Sequence, residues 1–347
     1  EALLLRYPEL NAENLALAQL EQMILYQLVR FEDAPDPERL RGFLAIRSAR
    51  LASLGAEFLR AERGIEYQEG IPTYIEVRLL DEARRAPAGL EGFGSDDPYS
   101  LGFSTAPELR VSDYLSRLLR FSSDASTVRT RAYATGMALA LLLDRAGAEW
   151  KTAVMTTDRY LDEILSESLP QAPEAAAAAL DRVKKEFDYE DLLKIVQEKT
   201  ARISLERKMA ADAFLKQDGV QIVLTPPGLP VEMRGFDPLN VQVVDSTRAI
   251  HKRLLLLAFG ESTFSASGVP VMVGLGDGPF DIRTATVFIP AEEIQAEADF
   301  VPLALEPGPH RFNSSLRLQG GGVSLQASAG TLAVSPDGTK IEITLKK

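Results

Sequence analysis

The chain has 347 residues, 46% of them hydrophobic and 25% charged, which suits a globular protein of two or three domains with a sizeable core. A net charge of −12 and the lack of a compact basic stripe argue against a nucleic-acid partner. With no cysteine, disulfides and thiolate chemistry are excluded, and no apolar run reaches the roughly 18 residues needed to cross a bilayer.

Residues 11–30 place Leu17, Leu20, Ile24 and Leu28 on one helical face, with Asn11 as the N-cap. Pro35 and Pro37 punctuate its end. From Glu38 to Gly64, Leu40, Phe43, Leu44, Leu51, Leu54, Phe58 and Leu59 recur at helical spacing, predicting a second long helix with Arg-rich turns. Residues 65–86 predict a third. Pro72 removes one helical hydrogen bond there, which puts Glu69 at a break or near a helix start. Residues 86–109 read as a surface loop rich in Gly, Pro, Ser and Asp.

Helices are predicted over 111–121 and 131–146, the first turning Leu115, Leu118 and Leu119 inward. Residues 174–215 are strongly helix-forming. Beyond them the texture changes to short β-type runs between turns, with Asp337-Gly338 as a hairpin turn. The expected fold class is α+β: a mainly helical region over 1–215, then a β-rich domain over 216–347, a sandwich or small barrel. From Lys216 onward, 14 acidic and 11 basic residues give −3, so the earlier part carries −9 of the −12.

Two short patterns carry the candidate chemistry. In "EGIPTYIE", Gly70 follows Glu69, and a small residue there permits close helix approach. Glu76 shares the face of Glu69 if the helix continues. Tyr133-Ala-Thr-Gly136 begins 64 residues after Glu69 and opens the apolar run "GMALALLLDRAGAEW". Taken singly, two carboxylates on an amphipathic helix face water, and one tyrosine anchors a helix start.

Taken together, their order and spacing resemble the second half of a gluzincin zinc-metallopeptidase site. The run "G…LLD…G…WK", with Asp144 and Trp150 in matching places, and the opening "YPELNAEN…LEQ" extend the resemblance over about residues 1–165. It implies that Glu69 is the third metal ligand and that Tyr133, in a Tyr-x-x-Gly turn, donates to the oxyanion. It implies that Glu76 bonds a metal-binding histidine from behind. Arg129 and Arg131 then bind a substrate carboxylate or pair with Glu76, structural pairing being the stronger reading. Zinc in the intact protein, a peptide or protein substrate and a bacterial source are also implied; a cysteine-free composition is compatible with export.

The first half of such a site is an HExxH helix, whose two histidines grip the metal while the glutamate activates water. This sequence has no HExxH; its two histidines, His251 and His310, lie far downstream. The expectation is therefore the portion of a metallopeptidase C-terminal to that helix, inactive and without tightly bound zinc as it stands. The alternative is a non-catalytic binding protein on a peptidase-like scaffold. A portion cut from that helix is expected to expose apolar side chains near Glu69, among them Tyr67, Ile71 and Ile75. His251 reads as a strand-edge residue and His310 as a turn residue. "VGLGDGPFD" lacks the Lys-Ser/Thr end of a phosphate loop and reads as a turn at Asp277-Gly278; no Gly-x-Ser-x-Gly occurs.

Overall fold

The computed structural model describes residues 7–31, 36–85, 106–119, 125–170, 176–228, 231–276 and 281–346. The chain divides into two compact units, meeting between Thr200 and Ala201. That division falls inside the helix Tyr189–Leu215, whose C-terminal end coincides with the compositional change near 216.

In the helical unit, α1 (Ala12–Phe31) begins where Asn11 Oδ1 accepts from the N–H of Asn14 at 3.0 Å, the N-cap expected. Its Leu17, Leu20, Ile24 and Leu28 are buried. The single helix expected over 38–64 is two. α2 (Pro37–Ser53) is capped by Asp36, and α3 (Ala56–Ile65) starts after an extended pair, Leu54 and Gly55, with ψ of 148° and 149°. Gly64 ends nothing. α3 runs on through a π-helical turn, Glu66–Gly70, into α4 (Ile71–Arg85). Glu69 thus sits within a continuous helical rod, not at a helix start. Pro72 has no N–H and its ring excludes the preceding-turn carbonyl, and the wider turn just before it absorbs the mismatch. Thr73 Oγ1 satisfies the Glu69 carbonyl at 2.7 Å.

α5 (Ala106–Leu118) buries Leu115 and Leu118, but Leu119, past its end, is 44% exposed. α6 (Ala125–Arg145) is followed by α7 (Trp150–Thr156), α8 (Leu161–Ser168), α9 (Ala176–Glu186) and α10 (Tyr189–Leu215). The helix-forming stretch 174–215 is split at Asp188, whose φ of +48° belongs to a turn. One apolar core joins Leu20, Leu25 and Leu28 of α1, Phe43 and Ile46 of α2, Met137, Leu139 and Leu143 of α6, and Trp150.

The second unit holds two sheets, in each of which antiparallel pairing dominates. One runs β11 (Gly308–Phe312), β14 (Gly330–Val334), β15 (Lys340–Leu345), β1 (Val220–Thr225), β8 (Ile282–Ile289), β7 (Val271–Leu275), β4 (Arg248–His251), β3 (Val241–Asp245). The other runs β10 (Val301–Pro302), β9 (Gln295–Ala298), β12 (Leu316–Gly320), β13 (Val323–Ala327), β6 (Ser262–Ser267), β5 (Leu254–Phe259), β2 (Glu232–Phe236). Alternate residues of β1 (Val220, Ile222, Leu224) and β5 (Leu255, Leu257, Phe259) enter one shared core, so the unit is a sandwich. The other face of the first sheet is covered at Val244, Ile250, Met272 and Phe288 by Ala211 and Phe214 from the end of α10. β14 and β15 are joined at Asp337-Gly338 as expected, Gly338 taking φ +70° and Asp337 Oδ1 accepting from the N–H of Thr339 at 3.1 Å. Asp277-Gly278 lies outside the described residues.

Candidate functional site

The site is organised by two glycines. The π-turn and α6 cross at Gly70 and Gly136 in backbone contact. A Cβ built on Gly70 would lie 2.5 Å from the Gly136 Cα, and one on Gly136 would lie 2.4 Å from the Glu66 carbonyl oxygen. Only glycine fits either place. Glu69 precedes the first glycine by one residue and Tyr133 precedes the second by three, so the crossing sets their side chains next to each other. Tyr133-x-x-Gly136 is therefore helix interior, within α6, and not the turn expected of it.

Arg129, one turn before Tyr133, completes the group. Its Nη2 donates to Glu69 Oε1 at 2.7 Å and lies 3.5 Å from the Tyr133 hydroxyl. The carboxyl of Glu69 is held below the usual range by the hydrogen bond to Tyr133 and then by Arg129. Tyr133 is raised, by burial and then by the adjacent carboxylate. At neutral pH the trio is a carboxylate, a guanidinium and a protonated phenol. The side chains of Glu69 and Arg129 are 31% and 42% exposed, so the group is accessible from solvent. Tyr67 and Ile75, on the same rod, are exposed, and Ile71 is half-buried.

The other candidates lie elsewhere. Glu76 does not join Glu69. Its carboxylate meets Arg110 Nε at 3.0 Å and the Tyr114 hydroxyl at 3.2 Å, both from α5. Arg131 does not meet Glu76 or solvent. It is buried, donating to Glu62 Oε1 at 3.0 Å and to the Tyr7 hydroxyl at 3.3 Å. Two residues beyond Arg129 on the same helix, it points to the other side. His251, at the end of β4, is buried beneath Phe236, and burial depresses its pKa to about 4. His310 lies within strand β11 and not in a turn, its Nε2 2.7 Å from the Glu306 carbonyl. Asp144 and Trp150 form a joint between α6 and α7, with Trp150 Nε1 donating to Asp144 at 3.0 Å and Tyr74 OH at 2.5 Å. The "LLD…WK" pattern is accounted for by that joint. Among the described residues no three His, Cys, Asp or Glu side chains cluster as a metal site.

Sequence reasoning missed the ionic core beneath the site. Arg47, fully buried, donates to Glu21 at 2.7 Å and Glu66 at 2.5 Å, and its Nε lies 3.0 Å from Asp162. Arg50 meets Glu21 at 2.6 Å and Glu62 at 2.7 Å. The Tyr7 hydroxyl donates to Glu62. Burial works against the charge on Glu62, yet Arg50 and Arg131 hold its carboxyl far below the usual range. Glu66 shares its single arginine with two other carboxylates, and burial pushes it up to about 7. The signal in the sequence is phase: Arg47 and Arg50 fall on the same helical face as Phe43, Ile46 and Leu54. Glu66 belongs to this core and, through its carbonyl, to the Gly136 crossing, so the ionic core and the exposed trio share the π-turn.

No protein-family model, curated protein or solved structure matches the chain.

Proposed function

We propose that the helical unit is the part of a gluzincin-type metallopeptidase domain that lies beyond its metal-binding histidine helix. In this reading Glu69 supplies one carboxylate to the metal, and Tyr133 donates to the oxyanion that forms on a peptide carbonyl. What supports it is the Gly70–Gly136 crossing, which holds Glu69, Arg129 and Tyr133 together on accessible surface. Zinc, when bound, activates a water. The protein's own part is to present one carboxylate, keep the Tyr133 proton in place and neutralise Glu69 with Arg129 when no metal is there. The described residues do not make up a zinc site alone, since such a site takes three protein ligands. The chain as it stands is read as inactive and without tight zinc.

Calorimetric titration of the purified chain with zinc should give no stoichiometric binding at micromolar concentration. A polypeptide extended by the coding sequence ahead of Glu1, carrying an HExxH helix, should bind one zinc and cleave a test peptide. In that protein Tyr133→Phe should lower kcat by roughly 10²–10³ with metal content unchanged, and Glu69→Gln should release metal. Tight zinc at Glu69 in the present chain, or no HExxH ahead of it, overturns the reading.

A second reading, a non-catalytic binding protein on the same scaffold, is favoured by one observation: Arg129 already occupies the Glu69 carboxylate at 2.7 Å. An extended polypeptide that binds no zinc even as Arg129→Ala supports it.

A further inference from the structure

Arg129 meets its carboxylate in a different setting from the other arginines of the ionic core. Arg47, Arg50 and Arg131 are buried and tie together side chains from several helices. Arg129 and Glu69 are 42% and 31% exposed, and they join two elements that the Gly70–Gly136 contact already joins. An exposed pair of that kind adds little to a fold.

The pair has instead the form of a filled binding site. Arg129 and Tyr133 stand one turn apart on the same face of α6. The Nη2 of Arg129 donates to Glu69 Oε1 at 2.7 Å, and the Tyr133 hydroxyl lies 3.5 Å from the same nitrogen. The guanidinium also lies over the Tyr133 ring, 6.0 Å from its centroid, which orders it. The hydrogen bond from Tyr133, and then that from Arg129, hold the Glu69 carboxyl below its usual range. A guanidinium offers a planar fork suited to a carboxylate, and a phenol adds a neutral donor. One carboxylate, supplied by the chain itself, already rests against both.

We infer that Arg129 and Tyr133 make a subsite for the carboxylate of a ligand, with Glu69 as its built-in plug. This goes beyond the metallopeptidase reading and stands whether or not Glu69 meets a metal. The ligand group is a carboxylate at the end of a peptide or on an acidic side chain. In a chain of −12 no general field draws an anion in, so recognition depends on these two donors. Glu69 is tethered beside them and competes at a high effective concentration. The chain as it stands therefore binds carboxylates poorly, and removing the charge of Glu69 opens the subsite.

Nuclear magnetic resonance on the full chain with labelled tyrosine tests this, the Tyr133 signal being assigned through Tyr133→Phe. N-acetyl-phenylalanine, the probe for a chain end, should shift that signal to saturation in Glu69→Gln. It should bind the wild type at least about tenfold more weakly. The α-amide of N-acetyl-aspartic acid is the probe for an acidic side chain, and the tighter of the two acids names the source. The amide of N-acetyl-phenylalanine, which lacks the charge, should shift nothing. Adding Arg129→Ala to Glu69→Gln should abolish binding. Adding Arg129→Lys should weaken it, because an ammonium has no fork. Both positions are partly exposed, so the variants should melt near the wild type, and Arg129→Lys decides if Arg129→Ala unfolds. Equal affinity in the wild type and Glu69→Gln, binding of the uncharged amide, binding undiminished by either Arg129 variant, or no binding to any form overturns the inference.

Discussion

The helical unit carries charges through its core, whereas the sandwich carries almost none. Glu21, Arg47, Arg50, Glu62, Glu66, Arg131 and Asp162 are all buried within the helices, while His251 and Ser262 are the buried polar side chains among the described residues of the strands. Strand alternation sends every second residue outward, so apolar side chains of ordinary sizes fill the sandwich. A helical bundle has no such strict alternation, and apolar stripes alone tolerate sliding and rotation. Arginines answered by several carboxylates from different helices fit one arrangement. We read the ionic core as a device for register, bought with desolvation that apolar residues would avoid.

The largest test removes one arginine. Arg47→Met leaves Glu21, Glu66 and Asp162 facing one another, and urea melts should show a loss of about 3–5 kcal/mol. Adding Glu66→Leu should recover part of it, because an apolar pair needs no desolvation. Full stability in Arg47→Met would mean that the charges do not hold the helices.

Each unit also holds one buried group whose response to pH opposes that of the other, against the carboxylates of the helices, such as Glu62, that are held low. His251 has its pKa depressed to about 4 in the folded state, from 6.5, so the unfolded chain takes up the proton first. The sandwich should lose stability as pH falls from 6.5 to 4, by at most about 3 kcal/mol. Glu66 has its pKa raised from 4.5 to about 7, so the unfolded chain releases the proton first. Its contribution is full below pH 4.5 and is lost as pH rises toward 7. Hydrogen exchange resolved by unit, between pH 4.5 and 6.5, should change its slope in the sandwich with His251→Phe and, in the opposite sense, in the helices with Glu66→Gln; unchanged slopes would remove this contrast.

The smallest effect separates close packing from charge within the helices. Gly136→Ala should cost about 1–3 kcal/mol, because backbone stands where the methyl must go. It should also disturb the Arg129–Glu69 pair, visible as a shift in Glu69 titration by NMR. Gly64→Ala, with nothing within 4 Å, should be neutral or stabilise by up to about 1 kcal/mol. Equal costs at both would show that the crossing is looser than its geometry.

Helix positions and the switch to strands were legible because apolar periodicity is written directly in residue order. Asn11 as a cap and Asp337-Gly338 as a turn were legible for the same local reason. The break at Leu54-Gly55 was not, since both helices it separates share the same stripe. The π-turn was half legible: Pro72 announced a disturbance, but whether a helix breaks or widens depends on what packs against it, here Gly136. Glu69 and Tyr133 could be singled out by their glycines, although the positions of Glu76 and Arg131 could not. Glu76 depends on α5, and Arg131 depends on Glu62 and Tyr7, which only tertiary packing brings near.

In the sandwich, β1 stands mid-sheet, parallel to β15 in the register Gln221 to Lys340 and antiparallel to β8. β1 therefore waits for β15, distant from it in sequence, before its own pairing is complete. Until residues 340–345 are made, the edge of β1 that β15 covers has no partner. A truncation before Lys340 would remove the strand that joins β14 to β1, splitting the sheet and not merely trimming it.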